Sequence, residues 1–457
     1  MTANSVRDDN SRTGMLAAAF DRRLPAWATP RNLFLLLLLV SLCVDLAFGF
    51  IYKFRPTPGD LDADELEYFN MATGLMNGTL QLSARRTLAF PLLIAGVRSI
   101  SSNFLLLQVI AASLFSFSAP LLFLVVRRVT GSIATGAATG LALALWPPVI
   151  YYGVSLYSEA MALPVFLLAL LALPPGPRTG RPRGRRDWLG LVIAGVVLAC
   201  ATQVRPMYLL MTPFLALIVL IEERDWWRAI GKVAIVAAAY TLTTLPWSAY
   251  MTARFHHPIL VTSNGGETLA GGLNPVLLEP WAQRRLLTFG RNVWVGPGKW
   301  LPPYQTGYLS KAELSLPYDQ QDRILKERTT AWAKAHPDDA IQLELAKAAY
   351  MWGVYPLTKN GIAQLAFGNV PTILLIGFSL FCLVRLPDSR RSLARFWILP
   401  LFVTSVALIS WGSWRFRQPG DAGLVAFATV CALTMVASRR ARGSVVPARA
   451  EATAAAR

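Results

Sequence analysis

Charge is what this chain has least of. Lys, Arg, Asp and Glu together make up 15% of its 457 residues, against roughly 25% in an ordinary soluble domain. Acids are the rarer half, 26 against 44 basic residues, and there are three histidines. The four cysteines, Cys43, Cys200, Cys382 and Cys431, lie far apart in apolar runs and show no CxxC spacing. That pattern supports neither a disulfide framework nor a zinc site. The net charge of +18 falls in short clusters between apolar runs, not in a stripe interleaved with aromatics, which argues against a nucleic-acid partner. What is present is apolar: 54% of the residues, with a mean hydropathy of +0.43. The chain reads as an integral membrane protein whose first partner is the lipid bilayer.

Residues 33–51 form an apolar run about long enough to cross a hydrocarbon core of roughly 30 Å. It is longer than a signal-peptide core and no small-x-small cleavage site follows, so it reads as a retained first helix. Runs at 103–126, 133–150, 160–173, 188–204, 207–221, 229–250, 365–386, 396–411 and 424–437 bring the expectation to about ten spans. The moderately apolar 88–97 is short and reads as an interfacial or re-entrant helix. Basic clusters mark one set of turns: Arg22-Arg23, Arg127-Arg128, five arginines in the Pro- and Gly-rich 174–187, Arg390, Arg391 and Arg395, and Arg439-Arg440. The positive-inside rule places these turns and both termini in the cytoplasm.

The expected fold class is therefore an all-α polytopic membrane protein with interfacial helices and a small, mainly helical outer region. Its divisions are a cytoplasmic tail at 1–30, a transmembrane core at 31–255 with a first outer loop at 52–102, an outer region at 256–360, C-terminal spans at 361–438 and a second cytoplasmic tail at 439–457. In the outer region, 319–335 and 338–352 read as amphipathic helices separated by Pro337 and capped by the acids after it.

Against the scarcity of acids, residues 59–68 hold five in ten. A carboxylate cluster at the mouth of a span is solvated, paired with cations or kept for chemistry. Asp62, Asp64, Glu65 and Glu67 offer general bases or metal ligands on an outward-facing loop, the plain alternative being a solvated acidic surface. By the alternation of spans, this cluster shares the outer face with Arg85-Arg86, Glu159, Arg205, the outer region and Arg415-Phe416-Arg417, so that all can face one cavity.

Short motifs run in order along residues 60–420. They are Asp64-Glu65-Leu66-Glu67-Tyr68 with Ala72 and Gly78, Arg86 followed by Phe90-Pro91, Leu156-Tyr157-Ser158-Glu159, and Gln203-Val204-Arg205-Pro206. Then come Pro246-Trp247, the run from Thr262 through Asn264-Gly265-Gly266-Glu267 to Leu269, Gly272-Leu273-Asn274-Pro275, Ala335-His336-Pro337 with Lys347 and Trp352, and Arg415-Phe416-Arg417-Gln418-Pro419. The series resembles the GT-C superfamily of polyprenyl-phosphate-sugar-dependent glycosyltransferases, which includes lipid A aminoarabinose transferases and protein O-mannosyltransferases. It departs from that pattern in Phe416, where Tyr is usual, in Thr268, where Asn is common, and in lacking the first proline of the element after Arg86.

The resemblance implies an enzyme of the plasma (inner) membrane with its site facing the periplasm or exterior. Such an enzyme moves a sugar from a polyprenyl-phosphate donor to a cell-envelope acceptor (lipid, glycan or protein) and inverts the anomeric centre. It implies Asp64 as the general base, with Glu65 orienting Asp64 or the acceptor. Glu159 would do the same from the second outer loop, hold a divalent cation, or simply pair with an outer arginine. Arg85, Arg86, Arg205, Arg415 and Arg417 are the candidates for the donor phosphate, which guanidinium groups match bidentately, although each also fits as an interfacial anchor. Tyr68 and Asn264 complete the set as substrate contacts. No cofactor is assigned and no metal ligand is named, a divalent metal remaining compatible with the acids.

The rival reading from another class is a transporter or flippase of an envelope lipid or glycan, for which paired repeats and helices broken at mid-membrane are the usual signs. No internal repeat is visible, and the charges gather at one face. His256-His257, Asp45 within the first run and the Gly265-Gly266 and Gly271-Gly272 pairs are weaker signals. The tryptophans Trp281, Trp294, Trp300 and Trp352 suit either sugar stacking or an interfacial belt.

Overall fold

The structure, a computed structural model, describes residues 20–79, 84–176, 184–223, 225–278, 285–288, 291–294, 297–353 and 365–455. Helix α1 (Pro30–Phe48) starts where the Thr29 hydroxyl accepts from the Asn32 N–H at 3.2 Å and Pro30 occupies the first turn, which needs no N–H. A wide turn (Gly49–Lys53) carries it to the outer loop. There α2 (Ala63–Met76) begins at an Asp62 N-cap, followed by α3 (Ala89–Ile100), α4 (Phe104–Phe115) and α5 (Ser118–Thr130). Helix α5 stops on Gly131 in the left-handed conformation, φ 80°, a position suited to glycine. The Ser132 side chain then caps α6 (Ile133–Ala144). Pro147-Pro148 bend the chain by 61° into α7 (Pro147–Gly153).

The chain continues through α8 (Glu159–Ala172), α9 (Arg185–Val204), α10 (Met211–Glu222) and the 30-residue α11 (Trp226–Phe255). After an outer region containing α12 (Gly265–Gly272), α13 (Tyr318–Ala335) and α14 (Pro337–Met351), it re-enters the bundle as α15 (Val370–Arg385), α16 (Pro387–Ser392), α17 (Ala394–Ile409) and α18 (Gln418–Ala455). Two four-residue strands, β1 (Arg285–Thr288) and β2 (Arg291–Trp294), pair antiparallel with Arg285 opposite Trp294. They are a small addition to an otherwise helical fold.

Among the described residues, six helices are by themselves long and apolar enough to cross a membrane, and the bent α6–α7 pair makes a seventh. Glu159–Ala172, Pro206–Glu222 and Ala394–Ile409 are apolar but shorter. Every run expected to span is thus helical, and the chain is a multi-pass membrane protein. Helix α8 is apolar all round and lies at the centre against α4, α5 and α9, with Leu163, Phe166, Leu167 and Leu170 fully buried. Close helix approach depends on missing side chains. A Cβ on Gly136 would come within 2.8 Å of the Phe123 carbonyl oxygen, and one on Gly423 within 2.4 Å of that of Phe396.

Charge is sorted to the two ends of the bundle. At one end Arg395 makes a bidentate pair with Glu222, at 2.9 and 2.6 Å, and donates to the Leu173 and Pro174 carbonyls, while Lys232 pairs with Glu223 at 2.6 Å. These residues come from three connections, two of which, 174–187 and the turn with Arg390, Arg391 and Arg395, carry basic clusters that the sequence assigns to one side. At the other end stands the acidic first loop with the outer region. The outer region is tied down by Lys347 of α14, whose buried Nζ donates to Glu344 at 2.8 Å and to the Ser410 and Leu408 carbonyls that end α17.

Candidate active site

The acids expected on a loop are helical. Asp62 and Glu65 form a capping box: the Asp62 N–H donates to Glu65 Oε2 at 3.0 Å, and acids in a first helical turn sit favourably against the helix dipole. The D-x-x-E spacing was the signal for this start, and the density of charge hid it. Five and six residues past the cap, Glu67 and Tyr68 leave the same helix toward Arg85 and Arg86.

A cavity of about 660 Å³ opens between α2, the 85–87 segment, the turn before α10, α12, α13 and the start of α18. Asp64, Tyr68, Arg85, Arg86, Arg205, Asn264 and Arg415 all line it. Residues separated by up to 351 positions in the chain meet there. Asp64 accepts from Arg86 Nη2 at 2.7 Å through one oxygen and from Arg415 Nη1 at 2.5 Å through the other. Burial alone would raise its carboxyl, but the guanidinium groups of Arg415 and Arg86 outweigh it and hold the group well below the usual carboxylate range.

Glu159 lies just beneath the lining, 1% exposed, at the first turn of α8. Arg415 grips it bidentately at 2.6 and 3.2 Å, and Arg205 contacts the same carboxylate. Of the alternatives open for Glu159, the arginine pairing is the one whose contacts are present: its buried carboxylate is bonded to both Arg415 and Arg205. Arg205 also lies 4.6 Å from the Phe416 ring centroid, and Arg415 lies 3.9 Å from that of Tyr157. Tyr68 is buried with its hydroxyl donating to Ser158 at 3.3 Å, and Thr262 donates to Asn264 Oδ1 at 3.1 Å.

Arg85 and Arg86 share Glu67, at 3.0 Å from Arg85 and at 3.1 and 2.9 Å from Arg86. Arg85 reaches across the cavity to make a second, bidentate pair with Glu267, at 2.9 and 2.7 Å. Glu267 also receives the Tyr318 hydroxyl, and its backbone N–H donates to Asp322 at 2.7 Å. This latch fastens the outer region to the first loop. Its tightness shows at Gly266, where a Cβ would lie 1.8 Å from the Asp322 carbonyl oxygen. Glu267 sits inside a motif quoted from the sequence, and Asp322 falls with Leu325 and Thr329 on the buried stripe of α13. An acid on an apolar stripe was the signal that could have found it.

Seven of the ten candidates line the cavity; besides Glu159 beneath it, Glu65 and Arg417 do not. Glu65 is buried and spans from the Asp62 N–H to the Leu156 N–H, at 2.9 Å for the latter, so it pins the first outer loop to the second. Burial raises its carboxyl above the ordinary value. Arg417 is fully buried, donating to Asp421 at 3.1 Å, to Thr372 at 2.9 Å and to the Met351 carbonyl at 3.2 Å. It packs the start of α18 against α15 and α14. Asp45 likewise lies off the cavity, buried and accepting from Ser116 at 2.7 Å and Ser41 at 3.1 Å. His256 terminates α11 in the left-handed conformation, and His257 lies 3.7 Å from Asp319.

Among the described residues no group of three or more His, Cys, Asp or Glu is placed to hold a metal ion. Of the acids lining the cavity, Asp64 and Glu267 are bonded to guanidinium groups, which a cation would have to displace, and Asp322 accepts the Glu267 N–H.

Fold and cavity together define a multi-pass membrane protein with a charged cavity at one end of its helical bundle. No protein-family model matches the chain, and no curated protein does. Two solved structures match over most of it. One is the archaeal oligosaccharyltransferase AglB from Archaeoglobus fulgidus in complex with an inhibitory peptide and a dolichol-phosphate, with 15% identity, 92% of this chain, 51% of that one and a TM-score of 0.49. The other is the Archaeoglobus fulgidus oligosaccharyltransferase in the apo form, with 13% identity, 91% of this chain, 52% of that one and a TM-score of 0.50. At such identity the likeness is one of fold, and the chain spans about half the length of these proteins.

Proposed function

We propose that this chain is a membrane glycosyltransferase. It takes a sugar from a polyprenyl-phosphate donor at the outer (periplasmic) face of the plasma membrane and transfers it, with inversion, to an acceptor hydroxyl of the cell envelope. The observation that carries the reading is Asp64, a carboxylate lining a cavity together with four guanidinium groups. The same cavity is walled by Met207, Leu209, Leu210, Val406 and Ile409 at the lip of the bundle, an apolar flank suited to a lipid-borne substrate.

The acceptor O–H approaches Asp64 and gives it the proton as the new C1–O bond forms. The C1–O bond to phosphate breaks on the opposite face, and the phosphate keeps the electron pair, its charge stabilised by the arginines. Arg85 is committed to the Glu267 latch, which leaves Arg86, Arg205 and Arg415 as the phosphate-facing set. Each of these is already bonded to a carboxylate, so the incoming phosphate competes for them. When Arg86 or Arg415 turns to phosphate, Asp64 loses part of what keeps it a weak base. Donor arrival thereby readies the acid–base step.

The test is Asp64→Asn in purified full-length protein, with transfer measured from radiolabelled polyprenyl-phosphate sugars. Transfer is expected to fall by about three or more orders of magnitude with lipid-phosphate binding retained. Unchanged turnover rejects the base. A loss confined to movement of lipid across the bilayer supports the transporter instead.

A further inference from the structure

Beyond the charged cluster, one wall of the cavity is aromatic. Trp300, Trp411 and Phe416 all line it. The Trp300 and Trp411 ring centroids are 5.3 Å apart, and the Trp411 ring meets Phe416 edge-on at 5.0 Å. Phe416 in turn lies under the Arg205 guanidinium. The wall therefore runs directly into the arginines assigned to the lipid phosphate.

We propose that Trp300, Trp411 and Phe416 form the platform for the donor's sugar ring, a reading that rests on the lipid-linked transfer proposed above. A sugar ring presents a face of C–H bonds that packs on π surfaces, while its hydroxyls need hydrogen-bond partners. Trp300 supplies the first of these: its ring borders the cavity, while its Nε1–H is buried against Gly271. An interfacial-belt tryptophan would face lipid headgroups, whereas these two indoles face each other and the cavity. Trp352 behaves differently, with its Nε1 donating to Thr404 at 2.9 Å on α17. Trp281 and the Trp294 side chain lie outside the described residues.

The platform joins two parts of the chain. Trp411 lies on the link from α17 to α18 that carries Arg415, and Trp300 comes from the outer region. The Trp300 indole fits because position 271 is glycine: a Cβ there would lie 2.0 Å from Nε1. The Leu301 N–H donates to the Gly271 carbonyl at 2.8 Å and fixes the segment. Sugar shape is thus read where the outer region closes on the bundle.

The experiment compares full-length wild type, Trp411→Leu and Trp411→Phe in nanodiscs, titrated with decaprenyl phosphate and with its mannose, glucose and arabinose esters. In the wild type at least one sugar-bearing lipid is expected to bind about tenfold tighter than the bare phosphate. Trp411→Leu is expected to erase that advantage while leaving bare-phosphate binding intact, which also shows that the variant folds, and Trp411→Phe is expected to keep most of it. The proposal is overturned if no sugar ester outbinds the bare lipid, or if both lipids weaken equally in Trp411→Leu. Its failure is separable from that of the transfer reading: Asp64→Asn tests catalysis alone, and a surviving sugar preference with active Asp64→Asn would leave the platform standing on a protein that uses another base.

Discussion

Replacing Asp64 by Asn tests the competition between carboxylate and phosphate as well as catalysis. Asp64 engages Arg86 and Arg415 through charge-assisted bonds of 2.7 and 2.5 Å. A lipid phosphate that shares those guanidinium groups sits within about 4 Å of the carboxylate, where two like charges repel by roughly 4 kcal/mol at an effective dielectric constant of 20. The Asp64 side chain is 29% exposed, so solvent screens part of this, and about half is a fair expectation. Removing the charge should then tighten binding of bare polyprenyl phosphate by roughly ten- to thirtyfold. Calorimetry or thermophoresis on the full-length protein in detergent would read the change, and the gain should shrink with added salt. In an Arg86→Gln background the same substitution should gain less, because one of the contested donors is already missing. Equal or weaker binding by Asp64→Asn would show that carboxylate and phosphate do not share these arginines, and the coupling of donor arrival to basicity would fall with it.

Arg415→Lys keeps the charge but loses the fork that spans Asp64 and Glu159, so transfer should fall by about a hundredfold with a smaller change in lipid-phosphate Kd, read by kcat against KM. Gly266→Ala drives a Cβ into the Asp322 backbone. It should cost about 1–3 kcal/mol and expose the 256–353 region to limited proteolysis; unchanged protection would mean the latch is not what holds that region. Glu65 has a raised carboxyl in the folded chain, so its contribution is fully present below the unfolded value of 4.5 and is lost as pH rises through the folded value. Glu65→Gln should flatten the Tm profile in that window just above 4.5, and an identical profile would remove Glu65 as the source. Lys347→Met leaves Glu344 without its cation and the end of α17 without its donor, and should destabilise the protein by about 3–5 kcal/mol in thermal unfolding.

Length and hydropathy fixed the membrane helices, because a backbone in lipid must satisfy its own hydrogen bonds and a run of apolar residues has one way to do so. The excess of arginines on the side opposite the basic turns pointed to one cavity. Helix starts were legible wherever a cap was written locally, as at Thr29, Asn103 and Ser132. The start of α2 was equally local, but its capping residues were themselves acids and so looked like part of a reactive loop.

The partition of the charges was decided only by the tertiary structure. Arg415 and Arg417 are two residues apart, yet one crosses to Asp64 and Glu159 while the other is buried against Asp421 and Thr372. Asp64 and Glu65 are adjacent, yet a helix turns neighbouring side chains about 100° apart, so one faces the cavity and the other pins a loop. Which arginine meets which acid depends on partners tens to hundreds of residues away. A sequence lists the charges available at one end of the bundle; packing of α2, α8, the outer region and α18 decides which acid each arginine meets.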